Sequence, residues 1–225
     1  MSLIFTTTKK QAQINGVKIV VYGKAGVGKT KLCSTAPKPI ILTCEGGLLS
    51  LREFNIPVIE IKSYSDIIEA FNFISKSEKA KTFKTICLDS ITEIAEVVLT
   101  DAKTRFKDKR QAYGELIDSV VPLVKQFRDL PGKNVYFSAQ EVSTVDRQDS
   151  SVYFSPDMPG GKLENKLQFL FDGVFRMEAD NEGKRFLRTQ ANFQCIAKDR
   201  SGALDKKEKP NLTHIINKIL RSVKE

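Results

Sequence analysis

Apolar and polar positions along this chain follow two periods. Short apolar runs bounded by turn residues mark buried strands at 17–22, 39–45, 58–61, 85–89 and 134–140. Between them, apolar residues recur at helical spacing. Residues 29–36 read as a short helix ended by Pro37, and 66–74 carry Ile67, Ile68, Phe71 and Ile74 on one side. Longer helices are expected at 93–106 and 112–130, the second stopped by Pro131 and Gly132. Strands alternating with helices predict parallel βαβ units. Strands apolar nearly throughout predict a sheet covered on both faces.

The pattern changes after Gln140. Residues 141–162 are polar, with Ser, Asp, Pro and Gly and little periodicity, which predicts a long loop that is functional or mobile. The alternative is a surface hairpin around Val152, Tyr153 and Phe154, with the aromatics packed on the sheet. A helix is expected at 162–171, and short strands at 173–178, 185–189 and 192–197, the first two joined by a turn at 179–183. Residues 204–211 are a charged linker. Residues 212–223 form an amphipathic helix with Ile215, Ile216, Ile219 and Leu220 on one face. The expected fold is α/β: a mostly parallel central sheet flanked by helices, with a C-terminal antiparallel extension. It occupies a single domain over 1–225, with a short arm at 1–14 and a linker and helix at 203–225.

Composition narrows the setting. A hydrophobic fraction of 41% in 225 residues suffices for a real core. No apolar run is long enough to span a bilayer, and the stretch from Met1 to Thr6 lacks the features of a secretory signal. Cys33, Cys44, Cys87 and Cys195 are scattered with no C-x-x-C pair, so they read as core residues in a reducing cytoplasm. His214 is the only histidine, which excludes Ser–His and His–metal chemistry. A net charge of +9, from 36 Lys and Arg against 27 Asp and Glu, favours a polyanionic partner, most naturally nucleic acid.

The candidate chemistry starts at Gly23, Lys24, Ala25, Gly26, Val27, Gly28, Lys29 and Thr30. This G-x-x-x-x-G-K-[ST] loop follows a β-branched strand and opens a helix, the context in which it binds nucleotide phosphates. Its backbone N–H groups turn toward phosphate oxygens, and the positive end of the helix starting near Gly28 adds to them. Lys29 supplies a point charge for the β- and γ-phosphates, and Thr30 a hydroxyl for Mg²⁺. The nucleotide expected is ATP. Asp89 ends a buried strand and is the candidate metal-associated acid; Ser90 and Glu93 also match a helix capping box. Glu45 ends another strand, and is either a general base for water or an exposed turn residue. Gln140 ends a third, as a γ-phosphate contact or an ordinary strand-end amide. Lys198 and Arg200 are candidate charge-stabilising cations in cis or from a neighbouring subunit, or a solvated basic turn. The basic run 103–110 is a second place for nucleic acid to bind, or a solvated face.

These landmarks, in this order, resemble the RecA-type recombinase core. The loop 23–30, the strand ending in Glu45, the run Ile86-Cys87-Leu88-Asp89-Ser90 and the run Tyr136-Phe137-Ser138-Ala139-Gln140 match its successive motifs, over most of residues 15–200. The ending Ala197-Lys198-Asp199-Arg200-Ser201-Gly202 is most similar to the phage single-strand annealing ATPases with a RecA-like core, chains described as having an AAA-type nucleotide-binding domain. The resemblance implies Glu45 as catalytic glutamate and Gln140 as γ-phosphate sensor leading into a mobile DNA-binding loop. In that loop Arg147 and Lys162 would meet phosphates, and Tyr153 and Phe154 would stack on bases. It further implies ATP-modulated binding of single-stranded DNA, annealing of complementary strands, a homo-oligomer as ring or filament, and a single-stranded-DNA-binding protein as a possible partner. The short N-terminal arm and the missing C-terminal DNA-gating domain argue against recombinase-style filaments and strand invasion. The rival readings are another P-loop motor such as a helicase loader or packaging ATPase, a nucleotide-gated assembly protein with little turnover, and a small-molecule kinase.

Overall fold

A computed structural model describes residues 7, 16–46, 48–145, 150–159 and 162–222. Its centre is a nine-stranded sheet. β1 (Lys18–Tyr22) leads into α1 (Lys29–Leu32), then β2 (Pro39–Thr43), β3 (Val58–Glu60) and α2 (Tyr64–Lys76). β4 (Thr85–Asp89), α3 (Ile91–Arg105), α4 (Lys109–Arg128) and β5 (Asn134–Ala139) follow. A separate antiparallel hairpin, β6 (Glu141–Val145) and β7 (Val152–Pro156), stands between β5 and α5 (Lys162–Leu170). β8 (Gly173–Ala179), β9 (Arg185–Arg188), β10 (Lys198–Asp199), β11 (Lys207–Glu208) and α6 (Leu212–Ser222) complete it.

The sheet order is β11-β9-β8-β1-β5-β4-β2-β3, with β10 also on β8. From β8 to β3 every pairing is parallel; β9, β10 and β11 are antiparallel additions. This is the α/β architecture expected from the sequence, with its C-terminal antiparallel extension. Strand residues divide by period two between two cores. Val20, Tyr22, Leu42, Leu88 and Phe137 face α2, α3 and α4, whereas Ile19, Val21, Ile41, Cys87 and Tyr136 face α1 and α6. Two covered faces explain why these strands are apolar throughout. Ser63 starts α2 with a closed capping box to Asp66. Among the described residues no helix is long and apolar enough to cross a membrane.

Several expectations are corrected. The helix expected over 29–36 is four residues of α-helix followed by a 3-10 turn, Cys33–Thr35, so its dipole is that of barely one turn. The strand expected at 39–45 stops at Thr43. Residues 192–197 form isolated bridges, and the pairing strand is Lys198–Asp199. Segment 141–162 is not one long loop, because β6 and β7 pair from Glu141↔Pro156 to Val145↔Val152. The hairpin alternative is the one found. Phe154 sits at its packed end: its N–H donates to the Gln194 carbonyl at 2.7 Å, and its own carbonyl accepts from Ile196 N–H at 3.1 Å.

Candidate active site

Parallel pairing brings the strand ends of β1, β5, β4 and β2 to one edge of the sheet. A cavity of about 840 Å³ opens there, lined by the 23–30 loop together with Glu45, Asp89, Glu93 and Gln140. The loop leaves β1 at buried Gly23 and turns through Gly26 (φ +73°) and Gly28 (φ +109°), a backbone that side-chain-bearing residues rarely adopt. The Tyr136 hydroxyl on β5 donates to the Lys29 carbonyl at 2.9 Å and so ties the start of α1 to the sheet. The Lys29 ammonium donates to the Gly23 carbonyl at 2.7 Å and the Lys24 carbonyl at 3.0 Å, folded back across its own loop. Burial lowers its pKa from the ordinary value, against the pull of Asp89, Glu45 and Glu141.

Asp89 is buried, and the Ser138 hydroxyl on β5 donates to its carboxylate. Ser90 caps α3, its hydroxyl accepting from the Glu93 N–H at 3.3 Å. Only that half of the expected capping box forms: the Glu93 carboxylate accepts from the Gln140 side-chain amide at 2.6 Å instead. Gln140 is fixed twice more, its N–H donating to the Thr92 hydroxyl at 3.0 Å and its carbonyl accepting from Asp157 N–H at 2.8 Å. Glu45 lies two residues beyond β2, its N–H bonded to the Thr43 hydroxyl at 3.0 Å. Partial burial raises its pKa, and the neighbouring Asp89 and Glu93 raise it further.

The residues fit a magnesium-bound nucleotide. Among the described residues no group of three or more His, Cys, Asp or Glu is poised to hold a metal by itself. Thr30 at the start of the helix and buried Asp89 share the cavity with the 23–30 loop, and Ser50, Ser90, Glu45, Glu93 and Glu141 also line it. A hydroxyl and a carboxylate suit Mg²⁺ shared with substrate phosphates.

The other candidates are distributed differently. β10 pairs Lys198 with Val174 and Asp199 with Gly173, level with Val20 and Ile19 of β1, so Lys198 lies midway along the strand and Arg200 at the end opposite the chain's own loop. Lys198 donates to the Gln168 carbonyl, and Arg200 pairs with Asp172 at 3.3 Å. Tyr153 is 36% exposed on β7. Phe154 lies under Arg176, the guanidinium carbon 3.7 Å from its ring centroid, and so is occupied by packing. Arg147 lies outside the described residues. Lys162 opens α5.

Among the cavity residues that sequence reasoning missed are Glu93, Glu141 and Arg185. Glu93 was legible only as a cap. Glu141 follows Gln140 and forms a bidentate ion pair with Arg176 of β8, at 2.7 and 3.2 Å. Arg185 of β9 comes from the far side of the loop. No local pattern announces the last two, because their partners are distant in sequence.

A family model described as an AAA domain matches residues 15–201, a span that contains every element from β1 to β10. No curated protein matches the chain significantly.

The side chains of Glu141 and Arg176 are only 5% and 12% exposed. Arg176→Ala therefore leaves a buried carboxylate without its partner and should lower unfolding free energy by about 3–5 kcal/mol. The double variant Glu141→Gln/Arg176→Met should lose clearly less. Urea unfolding of the single and double variants checks this, and equal losses would contradict it.

Proposed function

The chain belongs to the AAA-domain family of nucleotide-binding ATPases, and we propose that it is a Mg²⁺-dependent, DNA-stimulated ATPase of the phage recombination type. In this reading it works in the cytoplasm as a homo-oligomer, ring or filament, binds single-stranded DNA and promotes annealing, with a single-stranded-DNA-binding protein as a further partner. The observation that carries the reading is Gln140, the residue that follows β5. That strand lies between the loop strand and the acid strand, and Gln140 alone separates it from the hairpin strand β6. The phosphate site and the proposed DNA element are thus consecutive in the chain.

In the proposed reaction the loop N–H groups and Lys29 bind the phosphate chain. Lys29 leaves the carbonyls of Gly23 and Lys24 to do so. Thr30 and Asp89 would hold Mg²⁺, which when bound would supply neutralisation of phosphate charge. Glu45 takes the proton of the attacking water, and Gln140 releases Glu93 to contact the γ-phosphate. Tyr153, on the same strand as packed Phe154, offers an aromatic face to a base, and Arg147 and Lys162 offer cations to the DNA backbone.

The test is ATP hydrolysis with and without single-stranded DNA, alongside strand annealing. We expect DNA to stimulate turnover, annealing to depend on ATP, and Lys29→Ala to abolish hydrolysis. Stimulation without annealing would favour another DNA motor. Assembly on ATP without turnover would favour a nucleotide-gated scaffold.

Glu45→Gln should retain ATP binding and lower turnover by about 10²-fold. The pH profile gives a second readout. The raised pKa of Glu45 means that the base is lost as pH falls through a higher value than an ordinary glutamate would give. Glu93→Gln removes one like charge and should move that acid limb to lower pH. An acid limb that stays in place would remove Glu45 from the base role.

Lys198 and Arg200 are proposed to serve a neighbouring subunit's site. Lys29→Ala and Arg200→Ala subunits, each inactive alone, should regain part of the activity on mixing, because some interfaces then carry both groups. Mixed assemblies without recovery would rule out action in trans.

A further inference from the structure

The β8–β9 hairpin sorts its charges onto two faces. Arg176 and Glu178 of β8 and Arg188 of β9 share the face toward β6 and β7. There Arg176 is bound bidentately by Glu141, and Arg188 pairs with Glu178 at 2.5 and 3.2 Å. Both guanidiniums are neutralised within the chain. Arg185 lies on the other face, in phase with Leu187, which is buried in the core shared by α1 and α6. That is the side on which the 23–30 loop turns into α1.

Arg185 stands against the middle of that loop. Its Nη2 is 3.5 Å from the Gly26 carbonyl, and its Nη1 is 3.0 Å from where a Cβ on Gly28 would be. No ion pair joins it to a carboxylate among the described residues. It borders both the 840 Å³ cavity and an adjoining groove of about 490 Å³ formed by the loop and the β8–β9 turn. The backbone that carries it is fixed by pairing. Ala179 and Arg185 are paired across the hairpin, and Asp180 closes the turn, its carboxylate accepting from the N–H groups of Glu182 at 3.1 Å and Lys184 at 2.8 Å.

Resting on the nucleotide-binding reading above, we propose that Arg185 is a phosphate ligand supplied by the chain's own β8–β9 hairpin, clamping the diphosphate portion of the nucleotide from the side opposite Asp89. Gly26 and Gly28 belong to the part of such a loop whose N–H groups cradle the α- and β-phosphates. A guanidinium fork beside that cradle matches phosphate oxygens in charge and geometry. It holds groups that ADP and ATP share, so its effect falls on affinity for both. A group reserved for the transferred γ-phosphate would act on turnover instead. The neighbouring arginines cannot take this place, because their donors are committed to carboxylates on the other face.

The experiment is calorimetric titration of the full chain with Mg-ADP and with a non-hydrolysable ATP analogue, for wild type, Arg185→Ala, Arg185→Lys and Lys29→Ala. We expect Arg185→Ala to bind both ligands about tenfold more weakly, the scale of one lost charge-assisted contact. Arg185→Lys should recover part of the loss. The difference between wild type and Arg185→Ala should shrink as salt is raised, because the side chain is exposed. Arg185 contributes nothing to either hydrophobic core, so circular dichroism should show Arg185→Ala folded. Wild-type affinity of Arg185→Ala for both ligands would overturn the clamp while leaving the nucleotide site intact. Unchanged ADP affinity with reduced turnover would overturn it in favour of a γ-phosphate role. Failure of wild type itself to bind either ligand would overturn the nucleotide reading first.

Discussion

The hydrogen-bond ladder that sets β5 in parallel between β1 and β4 is the constraint from which the site follows. Tyr22 pairs with Ala139, Leu88 with Phe137, and Thr43 with Asp89. With the strands parallel and in this register, the residues that follow them must emerge at one edge. Gly23, Gln140, Ser90 and Glu45 are then neighbours although they span more than half the chain. A slip of one residue in β5 would turn Tyr136 and Phe137 to the wrong faces and withdraw both the Tyr136 anchor on α1 and the Ser138 bond to Asp89. Core packing and site geometry are thus set by the same register.

Within that frame the electrostatics are poised around an anion. Glu45, Asp89 and Glu93 crowd one wall, and their mutual repulsion helps raise the Glu45 pKa. Lys29 faces them, partly desolvated, and satisfies its donors with loop carbonyls. The Gln140 amide is held by Glu93. A phosphate chain would offer Lys29 better acceptors and Gln140 an alternative partner. The hairpin root is built into the same network, through the Asp157 N–H bond to the Gln140 carbonyl, the Glu141–Arg176 pair and the Phe154 ring beneath that arginine.

Much of this was legible in the sequence because it is written in contiguous residues. The loop glycines, the apolar strands and the polar group ending each strand carry their meaning within a few positions. The β6–β7 hairpin was only an alternative, because Glu141-Val142-Ser143-Thr144-Val145 is a short, largely exposed strand with few apolar anchors. Its stability comes from Phe154 and Glu141 meeting β8 and residues 194–196, contacts that no local periodicity encodes. Glu93 misled for a different reason: a glutamate three residues after a capping serine has two possible partners, and the nearby Gln140 amide took it. Arg185 lies 159 residues from the Gly26 carbonyl it approaches, so only the folded sheet reveals the pair.

The position of Lys198 and Arg200 bears on assembly. Lys198 is level with Val20 in the middle of β1 and Arg200 lies beside its start, while the phosphate loop follows its end, so the length of the strand separates Arg200 from its own site. A neighbouring copy can bring its Arg200 end to the loop end of this one either reciprocally, across a two-fold axis perpendicular to the strands, or by a head-to-tail contact. Such a heterologous contact closes into a ring or continues as a filament, according to the rotation between copies. Phe169, 77% exposed on α5, has its carbonyl 3.4 Å from an Arg200 nitrogen, which puts an apolar residue beside the cation on that same end. A role for Arg200 at a phosphate would therefore be played at a neighbouring copy's loop, since its own lies at the far end of β1.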